Sequence, residues 1–421
     1  MNMLCVSMVN QFRSNNSSLH STSICKLIAC IAITLQVAAA SISEFTSPIH
    51  KVTVVGGTHG NEYTGIWCVK MIERQRELYS SGTSIDDDTT KSINPFEKYP
   101  SLTINTLIAN TKAYMENKRF IDTDLNREFS ITKLKEYALR SCSDESKECL
   151  ESSEPLPYEA VRAAEIQSLL GEKTDGDVND APSDIVVDLH TTTANMGITL
   201  IITEGDALMS AAAAYVMHKC KEKYGYEKVN CMLLPPNKRS DRTHLPSCGS
   251  LDFTIEVGPT PQGVLRHDVV EQTQAALNSL LEFLHLRNVE FANNNESEDT
   301  SILDELKTIY PNGVTCYRSA QAKHGQELHG KLTWTSVEDN PNFPALMIHK
   351  SVQDRDFELL RIGDPLFVAL DGSVIPYDGS QGDEVLVMFV NEGGYYYAKS
   401  GTGIGLAVKS TFDWRTGKLI E

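Results

Sequence analysis

Four side chains in this sequence have the types and surroundings for hydrolytic metal chemistry. His59 and Glu62 lie three positions apart in VTVVGGTHGNEYTG, just after an apolar run that stops at Gly56-Gly57. A neutral imidazole and a carboxylate are two of the three protein ligands that a catalytic zinc usually takes. Alone, His-x-x-Glu is short and reads first as a βα turn with a solvated glutamate and a hydrogen-bonded histidine. His190 ends a second apolar run in DIVVDLHTTTANMG, 128 positions beyond Glu62. That gap suits a site assembled from separate βα units better than a structural zinc knuckle, whose ligands cluster locally. Asp188 alternates to the same side as His190, as a partner for the imidazole or as a strand-end charge. Glu256 stands in a third apolar run, FTIEVGPTPQG. A carboxylate there is costly to bury unless paired or functional, and near a metal it could take a proton from water.

A second group recognises anions. RFIDTDLNREF, Arg119 to Phe129, carries Arg127 with the planar fork that grips a carboxylate, Asn126 as a further donor, and Arg119, able to polarise a carbonyl. Asp122 and Asp124 could orient these arginines, although surface ion pairs account for the same residues. Lys238, Arg239 and Arg242 form a local basic cluster in a chain of formal charge -18 and pI about 5.1. That charge argues against a nucleic-acid or anionic-membrane partner and allows a small anion held by concentrated arginines.

Strands with helices between them must position these groups. Apolar β-branched runs predict strands at Val52 to Val55, Leu102 to Ile108, Ile185 to Leu189, Gly197 to Thr203, Val229 to Leu234 and Phe253 to Val257. Helical periodicity covers Glu62 to Ser80, Pro157 to Leu170, Asp206 to Lys223 and Gly263 to Asn288. Acidic, irregular loops separate them around Asp86-Asp87-Asp88, from Ser141 and from Thr174. The expected organisation is an N-terminal extension over 1–46, an α/β catalytic domain over 47–292, a linker over 293–304 and a β-rich domain over 305–421. In the last, Val314 to Tyr317, Ala345 to His349, Leu366 to Leu370, Val385 to Val390 and Gly405 to Val408 read as short strands. Leu27 to Ala40 has the composition of a signal-peptide h-region, yet about 25 mostly polar residues precede it. It argues for a membrane or organelle. Ten cysteines without a regular spacing argue for a reducing compartment, and a cytoplasmic location is the expectation.

THGNEYTG, RFIDTDLNREF, DLHTTTANMG, IEVGPTPQGVLR, GDPLF, LDGSVIP and FVNEGGYYY, in this order, resemble the aspartoacylase and aminoacylase-3 family of zinc amidohydrolases. The resemblance runs from about Lys51 to the C-terminus. It implies a zinc-carboxypeptidase-like mixed sheet flanked by helices, followed by a smaller all-β domain that contributes to the active site. It further implies His59, Glu62 and His190 as ligands of one zinc ion, Glu256 as the residue that activates water there, and Arg119 as the group polarising the amide carbonyl. Asn126 and Arg127 would hold a substrate carboxylate, with Tyr395 contributed by the C-terminal domain and Glu392 its orienting neighbour. Arg242, with Arg239 as the alternative, is the expected second substrate arginine. The family asparagine matches Asn110, although Thr111-Lys112 stands where Pro-Arg usually follows.

The activity implied is hydrolysis of an N-acyl amino acid, N-acetyl-L-aspartate first, because two arginine sites would suit a dianionic product. The nearest rival is an aminoacylase-3-like enzyme acting on N-acetyl aromatic amino acids or mercapturates. A zinc carboxypeptidase, a succinylglutamate desuccinylase and an inactive binding protein on the same fold are the remaining readings. A homodimer is expected by analogy.

Overall fold

β1 (Lys51–Gly56) is a buried β-branched strand that pairs in parallel with β2 (Thr103–Ile108) on one side and β3 (Ile185–Thr191) on the other. The computed structural model describes residues 48–81, 94–140, 155–173, 182–293, 301–320, 331–397 and 402–420. The expectations for 1–46, including Leu27 to Ala40, lie outside the described residues. So do those for the Asp86 run, most of the acidic loops from Ser141 and Thr174, and most of the 293–304 linker.

The sheet continues through β4 (Gly197–Thr203), β5 (Val229–Leu234), β6 (Leu251–Gly258) and β7 (Val314–Ser319). Next in the chain are β8 (Lys331–Thr333), β9 (Ser336–Val337), β10 (Asn340–Pro344), β11 (Leu346–Ile348) and β12 (Leu359–Arg361). β13 (Pro365–Ala369), β14 (Val374–Pro376), β15 (Glu384–Met388) and β16 (Thr402–Phe412) complete the set. The main sheet has the order β12-β15-β16-β7-β5-β4-β6-β3-β1-β2, with β8 paired to β16. β3 pairs in parallel with β6, and β4 runs antiparallel to β6, so β1, β3 and β6 end at the same edge. Open α/β sheets present their chemistry at such an edge.

This is the mixed α/β sheet with a β-rich C-terminal part that the sequence leads one to expect. β7 pairs in parallel with β5 through Met232 and Tyr317, so the C-terminal strands prolong the first sheet. Methionines from both parts, Met196, Met232 and Met388, pack with Ala194 and Ala407 at that junction.

The helices are α1 (Tyr63–Ser80), α2 (Ile131–Arg140), α3 (Tyr158–Leu170), α4 (Ala207–Glu222), α5 (His267–Ala292) and α6 (Ile302–Ile309), besides short turns. α1 begins hard against the sheet. A Cβ at Gly56 would lie 2.4 Å from the backbone of Gly65, and one at Gly65 would lie 2.5 Å from Leu189 O. Those glycines allow the backbone approach that carries Glu62, at the helix start, to the end of β3. α6 takes the last residues of the expected linker, and Ser301 caps it by accepting from Leu303 N. α2 was not expected, although Ile131 and Leu134 have helical spacing after Ser130, which accepts from Lys133 N.

α2 and α3 press a cluster containing Leu134, Ala163 and Ile166 against Leu125 and Phe129, both fully buried. Each of those two side chains contributes roughly 1.5–3 kcal/mol by its burial. They anchor the otherwise irregular segment between Arg119 and Phe129.

Candidate active site

His59 leaves β1 just past Gly57, Glu62 starts α1, and His190 is the penultimate residue of β3. All three side chains are buried, and one ligand atom from each lies within 4.8 Å of the others. His59 Nδ1 is 2.6 Å from Glu62 Oε1, and His190 Nδ1 is 2.9 Å from Glu62 Oε2. The outer nitrogens meet carboxylates. His190 Nε2 lies 2.8 Å from Asp188 Oδ2, and His59 Nε2 lies 3.1 Å from Asp124 Oδ1. Thr58 Oγ1 donates to the other oxygen of Asp188, at 2.8 Å. These outer contacts fix the orientation of both rings, with Arg119 Nη2 also 2.9 Å from His59 Nε2, so that the two inner nitrogens converge on Glu62. Two imidazole nitrogens and one carboxylate, buried and convergent, fit a zinc ion with a position left for water.

Burial alone would raise the Glu62 pKa, but the two histidines outweigh it and hold the carboxyl well below its usual range. Asp124 is lowered in the same way, against its burial, by His59 and then Arg119 and Arg127. His190 is raised well above its ordinary value because Asp188 and Glu62 overcome its burial. Glu256 moves in the opposite direction. Burial drives its pKa well above the usual range; His190 opposes that, and Glu62 and Glu392 add to it. Glu256 is the register partner of His190 on β6, so the two side chains share a face of the sheet.

These groups line a cavity of about 590 Å³, a size suited to a small molecule. Arg119 donates through Nη1 to Glu62 Oε1 at 3.3 Å and through Nη2 to Asp124 Oδ2 at 3.4 Å. The turn Gly393–Tyr397 folds over it so closely that a Cβ at Gly394 would lie 2.9 Å from Arg119 Cζ. Glu392 fixes that turn by accepting from Thr193 N and Gly394 N, both at 2.9 Å, and from the Thr192 hydroxyl. Tyr395 lines the cavity, and its pKa is raised by burial and then by Glu392. Asn126 and Arg127 also line it, and Asn126 Oδ1 accepts from Leu245 N at 2.9 Å. This leaves the Asn126 amide NH2 as the donor on offer beside Arg127.

Two expected residues are elsewhere. Asn110 is fully buried, caps the short helix Thr111–Met115 through Ala113 N, and donates to Glu159 Oε1 at 3.1 Å. Arg242 donates to Asp252 Oδ1 at 3.0 Å and to Asn237 O at 3.1 Å. Neither is a cavity-lining residue, and neither is Arg239. Thr243 and His244 occupy the wall in their place, with His244 Nε2 2.8 Å from Asp252 Oδ2. The rest of the wall is largely apolar and includes Phe120, Ile201, Met232, Leu234, Phe389 and Tyr397.

Glu159 was also missed. Its buried carboxylate accepts from three successive backbone N–H groups, Ile121 at 2.6 Å, Asp122 at 3.0 Å and Thr123 at 3.1 Å. It thereby shapes the loop between Arg119 and Asp124. Nothing in its sequence surroundings, an ordinary first helical turn, marks it.

Comparison with known proteins agrees with this geometry. Residues 48–284 match the succinylglutamate desuccinylase/aspartoacylase catalytic domain, and residues 329–410 match the AstE/AspA barrel-sandwich hybrid domain. The chain is 32% identical over 375 residues to N-acyl-aromatic-L-amino acid amidohydrolase (carboxylate-forming) A of Danio rerio, covering 88% of this chain and 92% of that protein. It is 32% identical over 356 residues to the aspartoacylase of Rattus norvegicus, covering 84% and 91%. Murine aminoacylase 3 superimposes with a TM-score of 0.62 at 26% identity, covering 87% of this chain and 98% of that structure. The chain belongs to the succinylglutamate desuccinylase/aspartoacylase family.

Proposed function

We propose that this chain hydrolyses the amide bond of N-acyl-L-amino acids in a zinc-dependent reaction, releasing a carboxylic acid and the free amino acid. The observation that carries this reading is the buried His59, Glu62 and His190 set with Glu256 in register beside His190. Relatives named as amidohydrolases of N-acyl-aromatic amino acids and as aspartoacylases support it. His59, Glu62 and His190 would hold the zinc. Bound there, zinc would supply a Lewis acid that brings the ionisation of water close to neutrality.

The protein side chains account for the remaining steps. Glu256 takes the proton of the attacking water and returns it to the amide nitrogen as the C–N bond breaks. Arg119 donates to the carbonyl oxygen as negative charge develops there. Arg127 and Asn126 grip the carboxylate of the amino-acid half, and the leaving group is thereby an amino acid. Tyr395 presents its hydroxyl from the C-terminal turn.

Within this class we favour uncharged, apolar or aromatic side chains over aspartate. Two arginine sites were the reason to expect N-acetyl-L-aspartate, and Arg242 is engaged by Asp252 outside the cavity. The kcat/KM values for N-acetyltyrosine and N-acetylaspartate on zinc-loaded protein test the point. We expect N-acetyltyrosine to be ahead by about 10-fold or more. A preference for N-acetylaspartate would restore the aspartoacylase reading, and peptide cleavage without acetate release would point to a carboxypeptidase.

A further inference from the structure

Two irregular segments, residues 119–129 and 237–248, supply one wall of the cavity. They are joined along a seam. Phe129 N donates to Thr243 O at 3.1 Å, and Leu245 N donates to Asn126 Oδ1 at 2.9 Å. Behind that seam lies Lys173, just beyond the end of α3 and 1% exposed. Its Nζ donates to Phe129 O at 2.6 Å, to Ser247 Oγ at 2.7 Å and, in a shorter contact, to Arg242 O. An ammonium has three N–H groups, and here each finds an acceptor. One acceptor belongs to the first segment and two belong to the second.

An ammonium group is rarely buried unless it is paired, since removal from water is costly. Burial pushes the Lys173 pKa down to about 8; Cys248 and Asp252 oppose this, and Arg242 and Arg239 reinforce it. The reaction described above makes no use of Lys173. A salt bridge to one carboxylate would have held a single point, whereas the tetrahedral ammonium holds three turns of chain at once.

We propose that Lys173 is a positioning residue that locks the two segments into one rigid wall. Asn126 and Arg127 on one segment and Thr243 and His244 on the other thereby keep a fixed separation around the amino-acid half of the substrate. The inference rests on the reading of this cavity as an N-acyl amino acid site. Lys173 grips the Phe129 end of the first segment, while Glu159 holds the Ile121 to Thr123 stretch between Arg119 and Asp124, so its loss falls on substrate binding and not on the chemical step.

Hydrogen exchange on the full chain without substrate tests the lock independently of turnover. In Lys173→Met the Phe129 and Leu245 amides should exchange about 10-fold faster or more, while amides of β3 keep their protection. On zinc-loaded enzyme, KM for the N-acyl amino acid should rise about 10-fold, with kcat within about threefold and zinc content unchanged. Unchanged exchange at the seam overturns the proposal, and so does a uniform rise that includes β3. Should Lys173→Met fail to fold, Lys173→Gln, which keeps a shorter polar donor, decides by the same two amides. A wild-type protein with no activity on any N-acyl amino acid refutes the functional reading, and the exchange result still judges the lock.

Discussion

The candidate metal-ligand side and the proposed substrate side of the cavity are built differently. The first consists of strand ends and a helix start, where His59, Glu62, His190 and Asp188 are at most 4% exposed and bonded to one another. The second consists of the 119–129, 237–248 and 389–397 segments, none of which lies in the parallel strands that carry the ligands. Their order comes from buried polar anchors, namely Glu159, Asp252, Lys173 and Glu392. A sheet edge fixes its side chains through a shared hydrogen-bond ladder, so that half has little freedom to vary. A loop fixed by one or two buried polar groups can change its contacts when one residue changes, and selectivity resides in such a wall.

Substitutions on the two sides should therefore separate into different kinetic classes. His190→Ala should abolish activity together with stoichiometric zinc binding, as metal analysis of the purified variant will read. Glu256→Gln should leave zinc in place and lower kcat by about 10²–10⁴-fold, the range for a general acid–base group. Retention of most of the kcat would break the assignment of Glu256 and with it the division of labour. Asp188→Asn should weaken zinc affinity by about 10–100-fold while activity recovers at saturating zinc. Arg127→Ala should raise KM by about 10-fold or more with little change in kcat, the signature of lost uniform binding.

The smallest effect on turnover is expected at Asp356, under the 389–397 turn. Its buried carboxyl accepts from Val390 N at 2.9 Å, and burial raises its pKa from 3.8 to about 6. A raised carboxyl pKa in the folded state means that the folded chain binds more protons than the unfolded one between pH 4 and 6. Stability therefore falls as pH rises through that window. Asp356→Asn should remove this slope, matching wild type below pH 4 and exceeding it at pH 7.5 by up to about 3 kcal/mol. Denaturant unfolding at the two pH values is the check. A variant less stable at both would show that the carboxylate itself holds the turn.

The same division governs what could be read from the sequence. His59, Glu62, His190 and Glu256 were legible because each lies at or just beyond the end of a contiguous apolar run, and parallel pairing of β1, β3 and β6 brings such ends together. The strands and long helices followed from periodicity in the same way. Asn110 and Arg242 do not line the cavity, and residue type does not reveal the partners that engage them. Glu159 and Ala113 N occupy one, and Asp252 and Asn237 O occupy the other. His244, two residues beyond Arg242, lines the wall without a sequence pattern that marks it, since a histidine in a basic cluster carries none. The long β16 was legible only around Gly405 to Val408, since its pairing to β7, β8 and β15 extends it beyond its apolar centre.

In the proposed reaction, metal ligands on the strand ends and a carboxylate base in register beside them cleave an N-acyl amino acid. The most direct test is acetate release from a panel of N-acetyl amino acids by zinc-loaded protein, read side by side for wild type and Glu256→Ala. The wild type is expected to turn over in dependence on about one zinc per chain, and the variant to keep its zinc but lose nearly all turnover. Equal activity of the two proteins, or full wild-type activity after complete removal of metal, would contradict it.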